Sequence, residues 1–464
     1  MTLIKSISGI RGTIGGHPGE NLTPVDAVLF ASAYAAFIKE NNPGKKPLVV
    51  TGRDARPSGQ MVLQAVHSAL TGMGVDVIDL GLSTTPSVEM AVPGLKADGG
   101  IILTASHNPV EWNALKLLNR RGEFLSAADG KKLIEKVNRS DFRYAEVRDL
   151  GTVSAHPGGY IKEHIDAILA LPEVNSEAIA GRRFKVVVDA VNSTGGIAIP
   201  MLLKRLNVEY VCLYCEPDGQ FPHNPEPLER HLQDIMRAVP EHGADLGIVV
   251  DPDADRLALI DEKGRMFGEE YTLVAAADYI LSKKPGAVVS NLSSSRALRD
   301  LAEKYGRPYY ASAVGEVNVV AKMKETEAVI GGEGNGGVIY PGLHYGRDAL
   351  VGIAFILSLL AETGLPLSAL KKRYTAYYMA KEKIRLTGGM DTDLLLEKFA
   401  KKHEQHPEAR IDKTDGVKVD YPGYWIHLRK SNTEPVIRIY TEAETLQKAG
   451  EAARNTIDEL KKLI

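Results

Sequence analysis

The chain has only two cysteines in 464 residues, Cys212 and Cys215. Their C-x-x-C spacing in "YVCLYCEP" lacks the second ligand pair that a structural zinc site needs. The pair also lies in a β-rich run, not at the start of a helix as in a thioredoxin-type motif. It reads as two small strand residues in a protein kept in a reducing cytoplasm. No apolar run reaches the roughly 18 residues needed to cross a bilayer. The opening "MTLIKSISGIRG" has neither the apolar stretch nor the cleavage site of a secretion signal. The formal net charge of -3 is too small to suggest a nucleic-acid surface or a membrane anchor. What remains is an ordinary globular composition, 44% hydrophobic and 25% charged. A chain this long exceeds one hydrophobic core, so three or four domains are expected.

The main rhythm is a short aliphatic strand, a turn, then an amphipathic helix, which predicts α/β domains with largely parallel sheets. In the first block "PLVVTG", "VDVIDLG" and "GGIILTAS" read as strands, with "SGQMVLQAVHSALTGMG" as a helix. In the second, "RFKVVVDAV", "VEYVCLYC" and "ADLGIVVDPD" are strands and "GGIAIPMLLKRL" is a helix. In the third, "PGAVVSN", "RPYYASAV", "AVIGGEG" and "GVIYP" alternate with helices "SSRALRDLAEKYG" and "EVNVVAKMKE". The last hundred or so residues change to antiparallel-looking strands, "YYMAKEKIRL", "YWIHLRKS" and "PVIRIYTEA", and a closing helix. The expected architecture is three similar mixed-sheet α/β domains, residues 1–150, 151–260 and 261–370, and a smaller α+β domain, residues 371–464.

Four stretches carry chemistry. In "ILTASHNPVEWNALK", Ser106 falls at the carboxyl end of an aliphatic strand, where functional groups of open α/β sheets collect. It is either an ordinary turn or cap serine, or a nucleophile helped by His107 and Lys116. In "VVDPDADRLALID", Asp251, Asp253 and Asp255 alternate directly after a strand. Three carboxylates this close repel unless a cation intervenes, and hard oxygen ligands suit Mg²⁺. A helix-loop-helix calcium loop would put glycine where Arg256 stands, and both flanks read as strands, although Glu262 occupies the twelfth position. In "IGGEGNGGVIYP", Glu333 and Asn335 alternate on a glycine-rich loop that suits either a polyol or a plain hairpin. In "RKSNTEPVIRIYTEA", Arg429, Ser431, Asn432 and Thr433, with Arg438 on the next strand, make either a phosphate cradle or ordinary turn chemistry. Arg53, Asp54 and Arg56 in "TGRDARPSG" read as charges bracing a strand-to-helix turn, and His223 in "FPHNPEP" as a loop-ordering residue.

Taken in order, "TASHNP", "DPDADR", "GEGNGG" and "RKSNTEP" resemble the phosphoserine, metal, sugar and phosphate loops of the α-D-phosphohexomutase superfamily. The resemblance spans nearly the whole chain, one loop per block, and "GIRG" and "FPHNPEP" add to it. It implies a four-domain enzyme around a central cleft with Ser106 phosphorylated at rest. Mg²⁺ is then held by Asp251, Asp253, Asp255 and an oxygen of the phosphoserine, Ser106. Lys116 falls at the general acid/base position, with Leu115 and Leu117 expected to lower its pKa by desolvation. Arg11 and His107 support the serine. Glu333, Asn335, Glu316 and Arg256 bind substrate, and Arg429, Ser431, Asn432, Thr433 and Arg438 bind phosphate.

The sugar loop departs from the usual Gly-Glu-x-Ser-Gly-His: Asn335 replaces the serine and Gly337 the histidine. "NALK" departs from Asn-Gly-x-Lys. The segment "SISGIRGT" resembles phosphoglucosamine mutases more than the glucose- or mannose-specific members. The expected activity is interconversion of hexose 1- and 6-phosphates, with a hexose 1,6-bisphosphate as intermediate and activator. The expected partner is a small hexose phosphate, with no nucleic acid or membrane, and the protein is a monomer or homodimer. A metal-dependent sugar phosphatase and a non-catalytic sugar-phosphate sensor are the rival readings.

Overall fold

Strand Gly99–Leu103 carries no polar side chain, and all of its residues are buried. Alternation along the strand sends Ile101 and Leu103 into one core and Ile102 into another. Helices Pro24–Asn41 and Gly59–Gly72 fill the first core with Phe30, Tyr34, Val62 and Val66. Helix Thr85–Gly94 fills the second with Val88, Ala91 and Val92. Each buried aliphatic side chain contributes roughly 1.5–3 kcal/mol. A slip of one residue would exchange the two faces, so the strand is held in register and its carboxyl end is delivered to a fixed place. The protein is described by a computed structural model that covers residues 2–6, 9–140, 142–156, 158–385, 391–430 and 436–463.

The first sheet is mixed. Strands Leu48–Arg53, Asp76–Leu82, Gly99–Leu103 and Val153–Ala155 run parallel, while Trp112–Asn119 is antiparallel to Gly99–Leu103 and to Gly9–Thr13. Gly9 pairs with Lys116 at φ +137, and a Cβ there would lie 1.8 Å from the Leu115 carbonyl oxygen, so only glycine lets the two strands meet. The second sheet is also mixed, in the order Leu257–Asp261, Leu246–Val250, Lys185–Asp189, Glu209–Leu213, with the first pair antiparallel. In the third, Tyr309–Ser312, Val288–Asn291 and Ile330–Glu333 run parallel. The last is antiparallel throughout: Tyr378–Arg385, Val436–Ala443, Tyr424–Lys430, Val417–Asp420, Arg410–Asp412. The chain thus has three α/β domains with mixed sheets and a C-terminal antiparallel domain.

Two compact units emerge. One contains Met1–Lys283 and Asn335–Leu370, the other Lys284–Gly334 and Lys371–Ile464. Among the described residues no helix is long and apolar enough to cross a membrane.

The second unit carries a built-in acid sensitivity. His427 is fully buried on strand Tyr424–Lys430, its Nε2 donating to the Asp415 carbonyl at 2.7 Å and its Nδ1 3.0 Å from Ser293 Oγ. Burial, reinforced by the charges of Lys418 and Arg429, pushes its pKa down from 6.5 to about 4. The unfolded chain therefore binds the extra proton first. The stability tied to a neutral His427 is fully present above its ordinary pKa and is lost as pH falls toward the folded value. At about 1.4 kcal/mol per pKa unit the loss is on the order of 3 kcal/mol. Thermal midpoints measured across this range should fall more steeply for the native chain than for His427→Gln. Equal slopes would dismiss the assignment.

Candidate active site

Beyond strand Gly99–Leu103 the chain turns sharply. Thr104 Oγ1 accepts from the Ser106 amide at 2.9 Å and donates to Asp54 Oδ2 at 2.6 Å. Ser106 sits at φ +49, a left-handed conformation that costs a non-glycine residue about 1–3 kcal/mol. Arg56 holds it there. Its guanidinium donates to the carbonyls of Ser106 at 2.5 Å, Asn108 at 2.6 Å, Pro109 at 2.5 Å and Trp112 at 3.0 Å, while Nε bonds Asp54 Oδ2 at 2.9 Å. The charges in "TGRDARPSG" therefore do more than brace their own turn: Arg56 shapes the serine loop from about fifty residues away. The Ser106 hydroxyl donates to Asp251 Oδ2 at 2.6 Å, and His107 Nδ1 is 3.4 Å from the same oxygen, Oγ.

Asp251, Asp253 and Asp255 occupy the turn between antiparallel strands Leu246–Val250 and Leu257–Asp261, with Ala254 at φ +54. All three are fully buried, and one oxygen of each lies within 4.8 Å of the others. Asp251 Oδ1 accepts the amides of Asp255 and Arg256 at 3.2 and 3.1 Å. Asp253 Oδ2 takes the Thr85 hydroxyl at 2.5 Å and Lys116 Nζ at 2.6 Å. Asp255 Oδ2 takes Arg347 Nη2 at 2.6 Å and Lys116 Nζ at 3.2 Å.

The remaining oxygens, Asp253 Oδ1 and Asp255 Oδ1, have no hydrogen-bond partner among the described residues. Two buried carboxylate oxygens kept out of every hydrogen bond fit a hard divalent cation. Charge alone is a weaker argument than the sequence suggests, because Lys116, Arg347 and Arg256 partly offset the three aspartates. Burial, then the charges of Asp255 and Asp253, still push the Asp251 carboxyl well above its usual range. Glu262 is not gathered with the three aspartates; its carboxylate accepts the amide and the hydroxyl of Ser368.

The expectation for Lys116 needs correction. Leu115 and Leu117 point into the core on the far side of the strand, because neighbours in a strand face opposite ways. Burial does depress the lysine, but Asp253 and Asp255 outweigh it and leave its pKa above the ordinary value. Asp255 shows the reciprocal effect: burial raises its carboxyl, yet Arg347, Lys116 and Arg256 hold it below the usual range. His107 falls well below its ordinary value, first through burial and then through the charge of Arg256, with Arg11 adding to it. Arg11 stands on strand Gly9–Thr13, opposite Ala114, two residues along from the Gly9–Lys116 pair.

Ser106, His107, Lys116, Arg11, the aspartates and Arg256 all belong to the first unit, as does Asn335, whose Oδ1 accepts the Gly337 amide at 3.2 Å. Glu333, Glu316, Arg429 and Arg438 belong to the second. There Glu333 Oε1 accepts Asn291 Nδ2 at 2.8 Å and the Gly315 amide at 3.1 Å. Glu316 opens helix Glu316–Glu325 and is buried. Arg429 Nε donates to Asp415 Oδ2 at 2.7 Å, and Arg438 is its cross-strand neighbour. Ser431, Asn432 and Thr433 lie outside the described residues.

Sequence reading missed Arg347 and Thr85, which orient Asp255 and Asp253. The only local hint for Arg347 is its place directly before Asp348, the N-cap of the apolar helix Ala349–Thr363. Thr85 opens helix Thr85–Gly94 and looks like an ordinary first-turn residue.

Models of the phosphoglucomutase/phosphomannomutase alpha/beta/alpha domains I, II and III match residues 3–144, 162–264 and 268–378, and the C-terminal domain model matches 384–459. A phosphoglucomutase/phosphomannomutase from Thermococcus kodakarensis is 38% identical over 95% of this chain and 96% of its own. A phosphoglucosamine/phosphogalactosamine mutase from Sulfurisphaera tokodaii is 30% identical over 100% and 99%. Among solved structures, a phosphoglucomutase/phosphomannomutase family protein from Burkholderia thailandensis superposes with a TM-score of 0.84 at 26% identity, covering 99% of this chain and 97% of that one. The chain belongs to the phosphoglucomutase/phosphomannomutase family of the α-D-phosphohexomutase superfamily, and it is a phosphohexomutase, an intramolecular phosphotransferase.

Proposed function

We propose that Ser106 is the phosphoryl carrier of this enzyme and that its preferred substrate is an amino-hexose phosphate. The observation that carries the first part is the Ser106 Oγ–Asp251 Oδ2 bond of 2.6 Å beside the two unbonded oxygens of Asp253 and Asp255. The phosphoryl–Oγ bond breaks as a free sugar hydroxyl attacks, and the hydroxyl forms the new phosphate ester. The resulting 1,6-bisphosphate turns over and returns its other phosphoryl group to Ser106, so the isomer leaves and no phosphate is lost. Such a transfer rests on positioning and charge neutralisation. Lys116 handles the proton exchanged between sugar hydroxyl and serine. Arg11 and neutral His107 set the charge around Oγ. Arg256, Glu333, Asn335 and Glu316 are proposed as sugar ligands, and Arg429, Ser431, Asn432, Thr433 and Arg438 as ligands of the phosphate that is not reacting.

Asp251, Asp253, Asp255 and a phosphoserine oxygen at Ser106 would hold Mg²⁺. When bound it neutralises charge on the phosphoryl oxygens as a Lewis acid. The two free thiols, Cys212 and Cys215, support placing the enzyme in a reducing cytoplasm.

The "SISGIRGT" segment and relatives named phosphoglucosamine mutases support the amino sugar. The Thermococcus relative named phosphoglucomutase/phosphomannomutase supports glucose or mannose phosphate as the second reading. Turnover of glucosamine, glucose and mannose 6-phosphates should be measured side by side with inorganic phosphate release. Glucosamine 6-phosphate is expected to give the highest kcat/KM. The preference is wrong if it is the poorest of the three, and phosphate release without isomerisation would indicate a phosphatase.

A further inference from the structure

The first unit buries a second set of ligand-type side chains that phosphoryl transfer does not use. His164 lies on helix Ile161–Leu169, and His344 and Asp348 lie just ahead of helix Ala349–Thr363. Asp348 Oδ1 caps that helix, accepting the amides of Leu350 at 2.8 Å and Val351 at 3.3 Å. Its Oδ2 faces two imidazoles, His164 Nε2 at 2.9 Å and His344 Nε2 at 3.3 Å. The rings stand at 90° with centroids 6.0 Å apart, and one donor atom from each of the three residues lies within 4.8 Å of the others. Donors bound to a tetrahedral Zn²⁺ at about 2.0–2.2 Å sit about 3.3–3.6 Å apart, which the His344–Asp348 pair meets and the shorter His164–Asp348 pair would reach by opening slightly.

The outer nitrogens fit the same reading. His164 Nδ1 is 3.0 Å from Ser87 Oγ, and His344 Nδ1 is 3.4 Å from Glu89 Oε2. Without a metal, neutral rings that pointed both Nε2–H groups at Asp348 would turn a bare His344 lone pair toward the Glu89 carboxylate, and only an imidazolium at His344 would donate to both carboxylates. With a cation at the three inner donors, both Nδ1 atoms carry the protons and both outer oxygens accept them, the usual support of a metal-bound imidazole. His164 and Asp348 are wholly buried and Glu89 is 1% exposed, while the 12% exposure of His344 leaves an entry path.

We propose that His164, His344 and Asp348 bind a divalent cation of the Zn²⁺ class, with Ser87 and Glu89 orienting the imidazoles and water completing the shell. Two nitrogen ligands distinguish this site from the all-oxygen aspartate triplet, which suits Mg²⁺. The site is placed to steady that triplet. Asp348 adjoins Arg347, which bonds Asp255, and the helix bearing Glu89 begins at Thr85, which bonds Asp253.

The test uses the full chain, stripped with chelator and returned to Mg²⁺ buffer, then titrated with Co²⁺. One Co²⁺ per chain should appear with the intense visible bands of a tetrahedral site, and Zn²⁺ should displace it. The bands should persist in Asp251→Asn, disappear in His344→Gln, and need about 10–100-fold more Co²⁺ in Glu89→Gln. Zn²⁺ should raise the thermal midpoint of the native chain but not of His344→Gln. Absence of tetrahedral bands in the native chain overturns the proposal whether or not any variant folds. Bands that survive His344→Gln and vanish in Asp251→Asn overturn it too, because they would place the cation at the triplet.

Discussion

Ser106→Ala is expected to reduce mutase turnover by at least ~10⁴-fold, the scale of losing a covalent nucleophile. The substitution removes the Oγ that bonds Asp251 and leaves a methyl group with no phosphoryl-accepting atom. The loop itself should persist. Arg56 holds the residue through its carbonyl oxygen and Thr104 through its amide, and alanine keeps both backbone groups. Alanine also bears the same left-handed backbone strain as serine. Loss of activity should therefore come with a thermal midpoint close to that of the native chain. The phosphoprotein mass increment expected of the native chain after incubation with hexose 1,6-bisphosphate should be absent from the variant. A Ser106→Ala chain that isomerises at the native rate, or still takes up phosphate at this loop, would remove Ser106 from the mechanism.

The second large effect is expected at Lys116. Proton transfer by a positioned side chain is worth about 10²–10⁴-fold, and kcat for Lys116→Met should fall by that amount. The ammonium also neutralises Asp253 and Asp255, at 2.6 and 3.2 Å, so methionine leaves buried carboxylates short of a partner. Breaking a buried pair from one side costs about 3–5 kcal/mol. Lys116→Arg separates the two roles. A guanidinium keeps the charge but does not release its proton in the working pH range. The arginine variant should therefore keep most of the stability and lose most of the rate. If it turns over like the native enzyme, Lys116 acts only as a countercharge.

Legibility followed chemistry that is local in the chain. The end of an aliphatic strand in "GGIILTAS" and the alternating aspartates of "DPDADR" are visible because a strand and its following turn are contiguous residues. Helices that are apolar on every side were harder. Pro24–Asn41 and Ala349–Thr363 are buried almost all round, so neither shows the one-sided periodicity that marks a surface helix. Reading Leu115 and Leu117 as the surroundings of Lys116 failed for a related reason: adjacency along a strand puts side chains on opposite faces.

By itself the sequence determined the α/β order, the place of Ser106 at a strand's carboxyl end and the presence of three clustered carboxylates. Those follow from side-chain type and short-range periodicity. The tertiary structure alone decided that Arg56 would grip the serine loop, that Arg347 and Thr85 would each occupy one oxygen of an aspartate, and that Lys116 would end up more basic than free lysine. Coulomb and hydrogen-bond energies depend on distance through space. Ser106 meets Asp251 across 145 positions of chain and Lys116 meets Asp253 across 137, separations over which no sequence pattern specifies a contact.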